Sequence, residues 1–121
     1  MQTTTTTTTV QARMPSPAFV VPGALEALQI SRARLSPGML ELVHLRASQI
    51  NGCGVCALQH SRLAREHAES DDRIFSVAAW RDAPFFTGAE RAALALTESI
   101  TRIADSGDPV PDEVWDEAAR H

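Results

Sequence analysis

The sequence predicts an all-α protein, and three observations support this class. Hydrophobic residues make up 44% of the 121 residues but aromatic residues only 5%, so the core must be aliphatic, which favours close-packed helices. From Phe19 onward, apolar residues recur at helical spacing almost throughout. Serine, threonine and proline also stand where helix N-termini favour them. The sequence contains no convincing strand pattern.

A change of composition near Ala18 divides the chain into two predicted parts. Residues 1–17 include an unbroken threonine run, Thr3 to Thr9, which cannot form an amphipathic face and predicts a disordered arm. Residues 18–121 are predicted to form one domain, which is long enough to bury a core without obligatory staples. Its last helix reaches His121 without a capping glycine, so we expect the domain to lack C-terminal helices.

Helix signals divide the first half of this domain. Pro22 opens a short predicted helix over residues 22–28. Ser36 and Pro37 supply the N-cap and the first residue of a second helix, which ends at Asn51-Gly52. A third helix is predicted from Cys53 to about Ala68.

The second half of the domain contains three further helix signals. Ser70 caps a predicted helix from Asp72 to about Trp80. Thr87 and Glu90 form the capping box of a strong helix, and Pro111 begins a last one. The expected buried stripe of the strong helix consists of Ala89, Ala93, Leu96, Ile100 and Ile103.

Charge and hydropathy argue against several classes of protein. The net charge is −4, with 15 acidic and 11 basic residues, whereas a dedicated nucleic-acid binder normally has a basic face. No apolar run approaches the roughly 20 residues that a transmembrane helix needs, and the N-terminus does not resemble a secretory signal. We therefore expect no nucleic acid or membrane as a partner, and a cytoplasmic location. In the cytoplasm, a lone Cys-x-x-Cys pair is expected to be redox-active or to bind a metal.

The residues that carry chemistry surround this cysteine pair. Cys53, Cys56 and His60 are spaced i, i+3 and i+7, which places them on one helix face. Unpaired amides and the dipole of a first helical turn stabilise a thiolate, and His60 can accept its proton. If Asn51-Gly52 folds the preceding helix back, Glu41 can orient His60 and complete an activated nucleophile. The cysteine spacing also suits a disulfide, so we expect a sulfenate or mixed disulfide that the second cysteine resolves.

The spacing Glu-x11-Cys-x2-Cys-x3-His, met by these four residues, resembles the alkylhydroperoxidase D-like (AhpD-like) branch of the carboxymuconolactone decarboxylase family. Residues 45–53 and 79–86 are similar to that family too, and the resemblance covers about residues 18–121. It implies a helical AhpD-like fold that assembles into trimers or hexamers. It also implies thiol-dependent reduction of a hydroperoxide or a protein disulfide, without a cofactor or metal. A thioredoxin-like or lipoyl-bearing protein would be the reductant.

The resemblance also assigns roles to the four residues. Cys56 would attack and become sulfenic acid, Cys53 would resolve it, and His60 and Glu41 would relay protons. Val55 stands where well-known members carry a second histidine, so the relay is expected to be shorter.

Other interpretations of the same residues remain open. Cys53, Cys56, His60 and Glu41 offer four zinc ligands, so the chain could be a zinc-binding or redox-sensing module rather than an enzyme. Structural zinc sites usually collect ligands from two separated pairs, however, whereas three of these lie on one helix. An inactive, truncated homologue is a third interpretation. Among the neighbouring residues, His44 and His67 are expected at the surface or at helix ends, and Ser48 could line the site or only pack.

Overall fold

The computed structural model of the chain describes residues 35–105 and 110–121. Within these residues the chain is helical and contains no strand, which confirms the all-α class. The predicted arm, the helix over residues 22–28 and the loop at 106–109 lie outside the described residues. The described α-helices are α1 (Pro37–Asn51), α2 (Gly54–Glu66), α3 (Asp71–Ser76), α4 (Gly88–Thr101) and α5 (Asp112–Arg120). Single 3₁₀ turns follow α3 at Val77–Ala79 and α4 at Ile103–Asp105.

None of the helices in this part of the chain is long and apolar enough to cross a bilayer.

A tight turn joins α1 and α2 into a helical hairpin. Gly52 ends α1 with a φ of 68°, a left-handed conformation that glycine adopts without steric cost. Its N–H donates to the carbonyl of Gln49, and the N–H of Cys53 donates to the carbonyl of Ser48 at 3.0 Å. These two bonds form a Schellman motif, which satisfies the last carbonyls of α1 and reverses the chain. Cys53 is then the N-cap of α2 rather than its first helical residue.

The other helix ends largely follow their local signals. The hydroxyl of Ser36 accepts from the N–H of Met39 at 3.1 Å, and Thr87 and Glu90 form the predicted capping box. Two ends differ from the prediction. α2 ends at Glu66 because Ala68 has a φ of 66°, which cannot continue a right-handed helix. The α-helix expected to reach Trp80 ends at Ser76 and continues only as a 3₁₀ turn.

The hydrophobic core lies among α1, α2, α4 and the segment between α3 and α4. It is aliphatic, as the composition predicts, apart from two aromatic side chains of that segment. Its buried members are Met39, Leu42, Leu45, Ala64, Ile74, Val77, Trp80, Ala83, Phe86 and Leu94.

The buried face of α4 differs from the predicted apolar stripe. Its buried residues are Ala92, Leu94 and Glu98, whereas Ile100 is 41% exposed and Ile103, beyond the helix end, is 53% exposed. The remaining members of the predicted stripe, Ala89, Ala93 and Leu96, are half-buried. The physical reason is the rotation of α4 that brings the carboxylate of Glu98 inward.

Glu98 is the central polar residue of the interior, at 3% exposure. Its Oε1 accepts from Arg46 Nε at 2.8 Å and from the Trp80 indole at 3.0 Å, and its Oε2 accepts from Arg81 at 2.6 Å. Burial alone would raise the pKa of Glu98, but these hydrogen bonds outweigh it and lower the pKa to about 2. The ionised carboxylate therefore ties α1 and the segment after α3 to α4.

Candidate active site

The N-terminus of α2 carries both cysteines. Cys53 caps the helix, and its Sγ accepts a hydrogen bond from the backbone N–H of Cys56 at 3.3 Å. The two side chains are half-buried and joined in a disulfide, as their spacing predicts. A sulfur at this position faces the positive end of the helix dipole, which stabilises negative charge on it.

The hairpin brings Glu41 of α1 against His60 of α2. Glu41 Oε2 lies 2.6 Å from His60 Nδ1, and the two side chains are 16% and 25% exposed. An ionised carboxylate can only accept, so Nδ1 carries the hydrogen of this bond. In a neutral imidazole, Nε2 is then the proton acceptor, which is the state that a general base requires. The structure thus brings together the two residues that sequence analysis placed on separate helices.

His44 is also a member of the cluster, although sequence analysis expected it only at the surface or at a helix end. Its ring centroid lies 4.8 Å from that of His60, with an angle of 47° between the ring planes. Its Nδ1 lies 4.0 Å from Glu41 Oε2, and its side chain is 49% exposed, so it forms the solvent side of the cluster. The signal was present in the sequence, because His44 follows Glu41 by three residues and therefore lies on the same helix face.

Two residues of α1 near the cluster contribute to the fold, one by packing and one through an ion pair. The hydroxyl of Ser48 donates to the carbonyl of His44 at 2.7 Å, a local bond within the helix. Ser48 is 7% exposed, so its role is packing. Arg46 points the other way, to Glu98, and does not neutralise Glu41.

Among the residues that the structure describes, the side chains whose metal-ligand atoms converge are Glu41, His44 and His60, with these atoms within 4.8 Å of one another. This set differs from the zinc set considered from sequence, because it includes His44 and neither cysteine. The sulfurs of Cys53 and Cys56 are joined in the disulfide.

An exposed apolar surface lies beside the disulfide on α2. Val55, between the two cysteines, is 78% exposed, and Leu58 is 52% exposed. Together with four side chains of the same turn and the next ones, they line an open cavity of about 270 Å³. The remaining lining residues are Gln59, Arg62, Leu63 and Glu66.

The hairpin thus carries the cysteine pair at the start of α2 and a hydrogen-bonded Glu–His pair across its two helices. Residues 21–99, more than half of the chain, match the model of the carboxymuconolactone decarboxylase family. The chain therefore belongs to this family.

Two curated proteins are similar to the chain in sequence. The chain is 40% identical over 81 residues to the uncharacterized protein YdfG of Bacillus subtilis, covering 67% of this chain and 54% of YdfG. It is 32% identical over 89 residues to the uncharacterized protein YnjA of Escherichia coli, covering 74% of this chain and 49% of YnjA. The chain thus spans about half the length of these curated relatives.

The fold also matches the crystal structure of ATU0492 from Agrobacterium tumefaciens, with a TM-score of 0.68 and 30% identity. The match covers 92% of this chain and 77% of that one. ATU0492 is described as a protein of unknown function and a candidate antioxidant defence protein, AhpD. The helical fold of this chain is accordingly AhpD-like.

Proposed function

We propose that this chain is a thiol-dependent oxidoreductase that reduces hydroperoxides or protein disulfides through the Cys53–Cys56 couple. The observation that carries the proposal is the 2.6 Å hydrogen bond between Glu41 and His60, formed across the hairpin on the helix that starts at the cysteines. A carboxylate that orients a histidine near a thiol is the arrangement of an activated nucleophile. The family and the AhpD-like fold support the same class of chemistry.

In the first step of the proposed cycle, the reduced protein attacks the peroxide. His60 Nε2 takes the proton of the Cys56 thiol, and Glu41 stabilises the resulting imidazolium through Nδ1–H. The Cys56 thiolate then attacks a peroxide oxygen and the O–O bond breaks. The peroxide is reduced by two electrons, Cys56 becomes sulfenic acid, and the departing alkoxide takes the proton from His60 to leave as an alcohol.

The second step closes the disulfide. The Cys53 thiolate attacks the sulfur of the Cys56 sulfenic acid, the S–O bond breaks, and the hydroxyl leaves as water after taking up a proton. An external dithiol then returns the pair to its reduced form and becomes a disulfide itself. A protein disulfide as substrate would be reduced by the same pair through a mixed disulfide.

The geometry of the cap favours Cys56 as the sulfur that the reductant attacks. In thiol–disulfide exchange, the better stabilised thiolate leaves more readily. Cys53 Sγ already accepts the N–H of Cys56 at the start of α2, so its thiolate is the better leaving group. The mixed disulfide with the reductant would accordingly form on Cys56. A thioredoxin-like or lipoyl-bearing protein is the class of reductant that we propose.

The exposed surface of Val55 and Leu58 gives a place for the apolar part of an alkyl hydroperoxide or for the reductant protein. Assembly into trimers or hexamers and a cytoplasmic location belong to the same proposal, by resemblance to the family.

Intact mass spectrometry of the reduced chain tests this function directly. One equivalent of an organic hydroperoxide should remove two hydrogens from the wild-type chain. C56S should show no oxidation, and C53S should stop at an addition of one oxygen or form an intermolecular disulfide. H67N is the matched histidine control, because His67 caps the other end of α2 and should leave the oxidation unchanged. A C56S variant that reduces the hydroperoxide as fast as wild type would refute the proposal.

A further inference from the structure

We propose that Glu41, His44 and His60 form a binding site for a divalent cation of the zinc type. Two of these residues lie one turn apart on α1, and the third faces them from α2. Their ligand atoms lie within 4.8 Å of one another. The site is thus assembled by the fold from both arms of the hairpin, rather than by neighbouring residues of one segment.

The donor set selects the class of cation. Two imidazole nitrogens with one carboxylate oxygen are a common three-ligand set for zinc, and they leave a fourth position for water or another ligand. Imidazole suits zinc, copper, iron and nickel, whereas magnesium and calcium prefer oxygen ligands. The half-exposed ring of His44 leaves the cluster accessible from solvent.

The distances are close to those that a bound zinc ion would set. Tetrahedral bonds of about 2.0–2.1 Å place neighbouring ligand atoms about 3.3 Å apart. From Glu41 Oε2, the distance to His60 Nδ1 is 2.6 Å and that to His44 Nδ1 is 4.0 Å. One of these distances is shorter and one longer than the required distance, and all the ligand atoms lie within 4.8 Å of one another. Movements of up to about 1 Å in each side chain would therefore complete the site.

Occupation of this site has a consequence that rests on the proposed function. The cation would bind the same Oε2 and Nδ1 atoms that share a hydrogen between Glu41 and His60. A bound cation therefore displaces that hydrogen and prevents His60 from acting as an oriented base. The metal-bound chain and the chain competent for peroxide reduction would exclude each other.

Isothermal titration calorimetry with zinc chloride tests the site on the full chain without an affinity tag. The oxidised protein is used, because its disulfide keeps both thiolates from acting as ligands. We expect one site per chain. H44A should weaken binding by more than about tenfold, since loss of a direct ligand costs at least as much as loss of an outer partner. H67A is the matched control and should bind zinc as wild type does.

A C53S/C56S variant separates this site from the redox function. It has no dithiol chemistry, and it should bind zinc as tightly as the oxidised wild type. Unchanged zinc affinity in a folded H44A, verified by circular dichroism, would overturn the proposal, as would absence of binding in folded C53S/C56S. A chain that reduces hydroperoxide but binds no zinc would refute the site alone, and the converse result would refute only the redox function.

Discussion

Replacement of Glu98 by glutamine should destabilise the protein through loss of a buried negative charge. Glu98 is 3% exposed and accepts hydrogen bonds from Arg46, Trp80 and Arg81. Glutamine keeps the shape but presents an NH₂ group, which cannot accept, either towards Arg46 or towards Arg81 and Arg102. Arg81 is 63% exposed and can turn to water, whereas Arg46 is 13% exposed and loses its counter-ion inside the protein.

The size of this effect follows from the burial of the pair. Removing one partner of a buried ion pair costs about 3–5 kcal/mol, and escape of Arg81 to solvent favours the lower end of that range. The shift in the pKa of Glu98 gives a similar figure. A fall from the ordinary value of 4.5 to about 2 corresponds to about 3 kcal/mol of stability at neutral pH. We therefore expect E98Q to lose about 3 kcal/mol.

The pH dependence gives this prediction its distinctive signature. Because the pKa of Glu98 is lower in the folded protein, its contribution is fully present above pH 4.5 and is lost as the pH falls towards 2. Urea unfolding followed by circular dichroism should show the wild type and E98Q converging over this window. E117Q is the matched control, because Glu117 pairs with Arg120 at the surface and should change stability by less than about 1 kcal/mol. A constant difference between wild type and E98Q down to pH 2, or less than 1 kcal/mol at pH 7, would refute the reasoning.

Three further predictions concern the site and its supports. E41Q should slow hydroperoxide-dependent oxidation by about 10-fold or more in stopped-flow assays, because the oriented base is lost; equal rates would contradict the relay. G52A should lower the free energy of unfolding, measured in urea, by about 1 kcal/mol, because Gly52 has a φ of 68°. G54A is the control and should not lower it, because the space around the Cβ position of Gly54 is open. Equal losses in the two variants would contradict this reasoning. T87A should lower the free energy of unfolding by about 1 kcal/mol, because the capping box of α4 is lost. An unchanged midpoint of urea unfolding would contradict that role.

The elements that sequence analysis predicted well are those set by local chemistry. Ser36 and Thr87 cap helices through bonds to amides only three residues away, so their role is visible in a few letters of sequence. Gly52 ends α1 for an equally local reason, and the hairpin that it creates explains why Glu41 reaches His60.

The features that sequence analysis missed depend on how the helices rotate against each other. The inward face of α4 is set by Glu98, whose buried partners Arg46 and Trp80 lie 52 and 18 residues away along the chain. An analysis of apolar periodicity assumes that a glutamate is exposed. It therefore assigned the wrong face of α4 to the core and predicted that Ile100 is buried. His44 was not assigned to the site for a related reason, because its approach to His60 depends on which faces of α1 and α2 pack together.

One backbone turn sets both halves of the candidate site. The N–H of Cys53 completes the Schellman motif of α1, while its sulfur caps α2 by accepting the N–H of Cys56. The motif that reverses the chain, and so brings Glu41 to His60, therefore also places a sulfur at the positive end of a helix. A change in this turn would move the sulfur and the histidine together. This coupling explains why the spacing from Glu41 through the cysteines to His60 is more informative than the Cys-x-x-Cys pair alone.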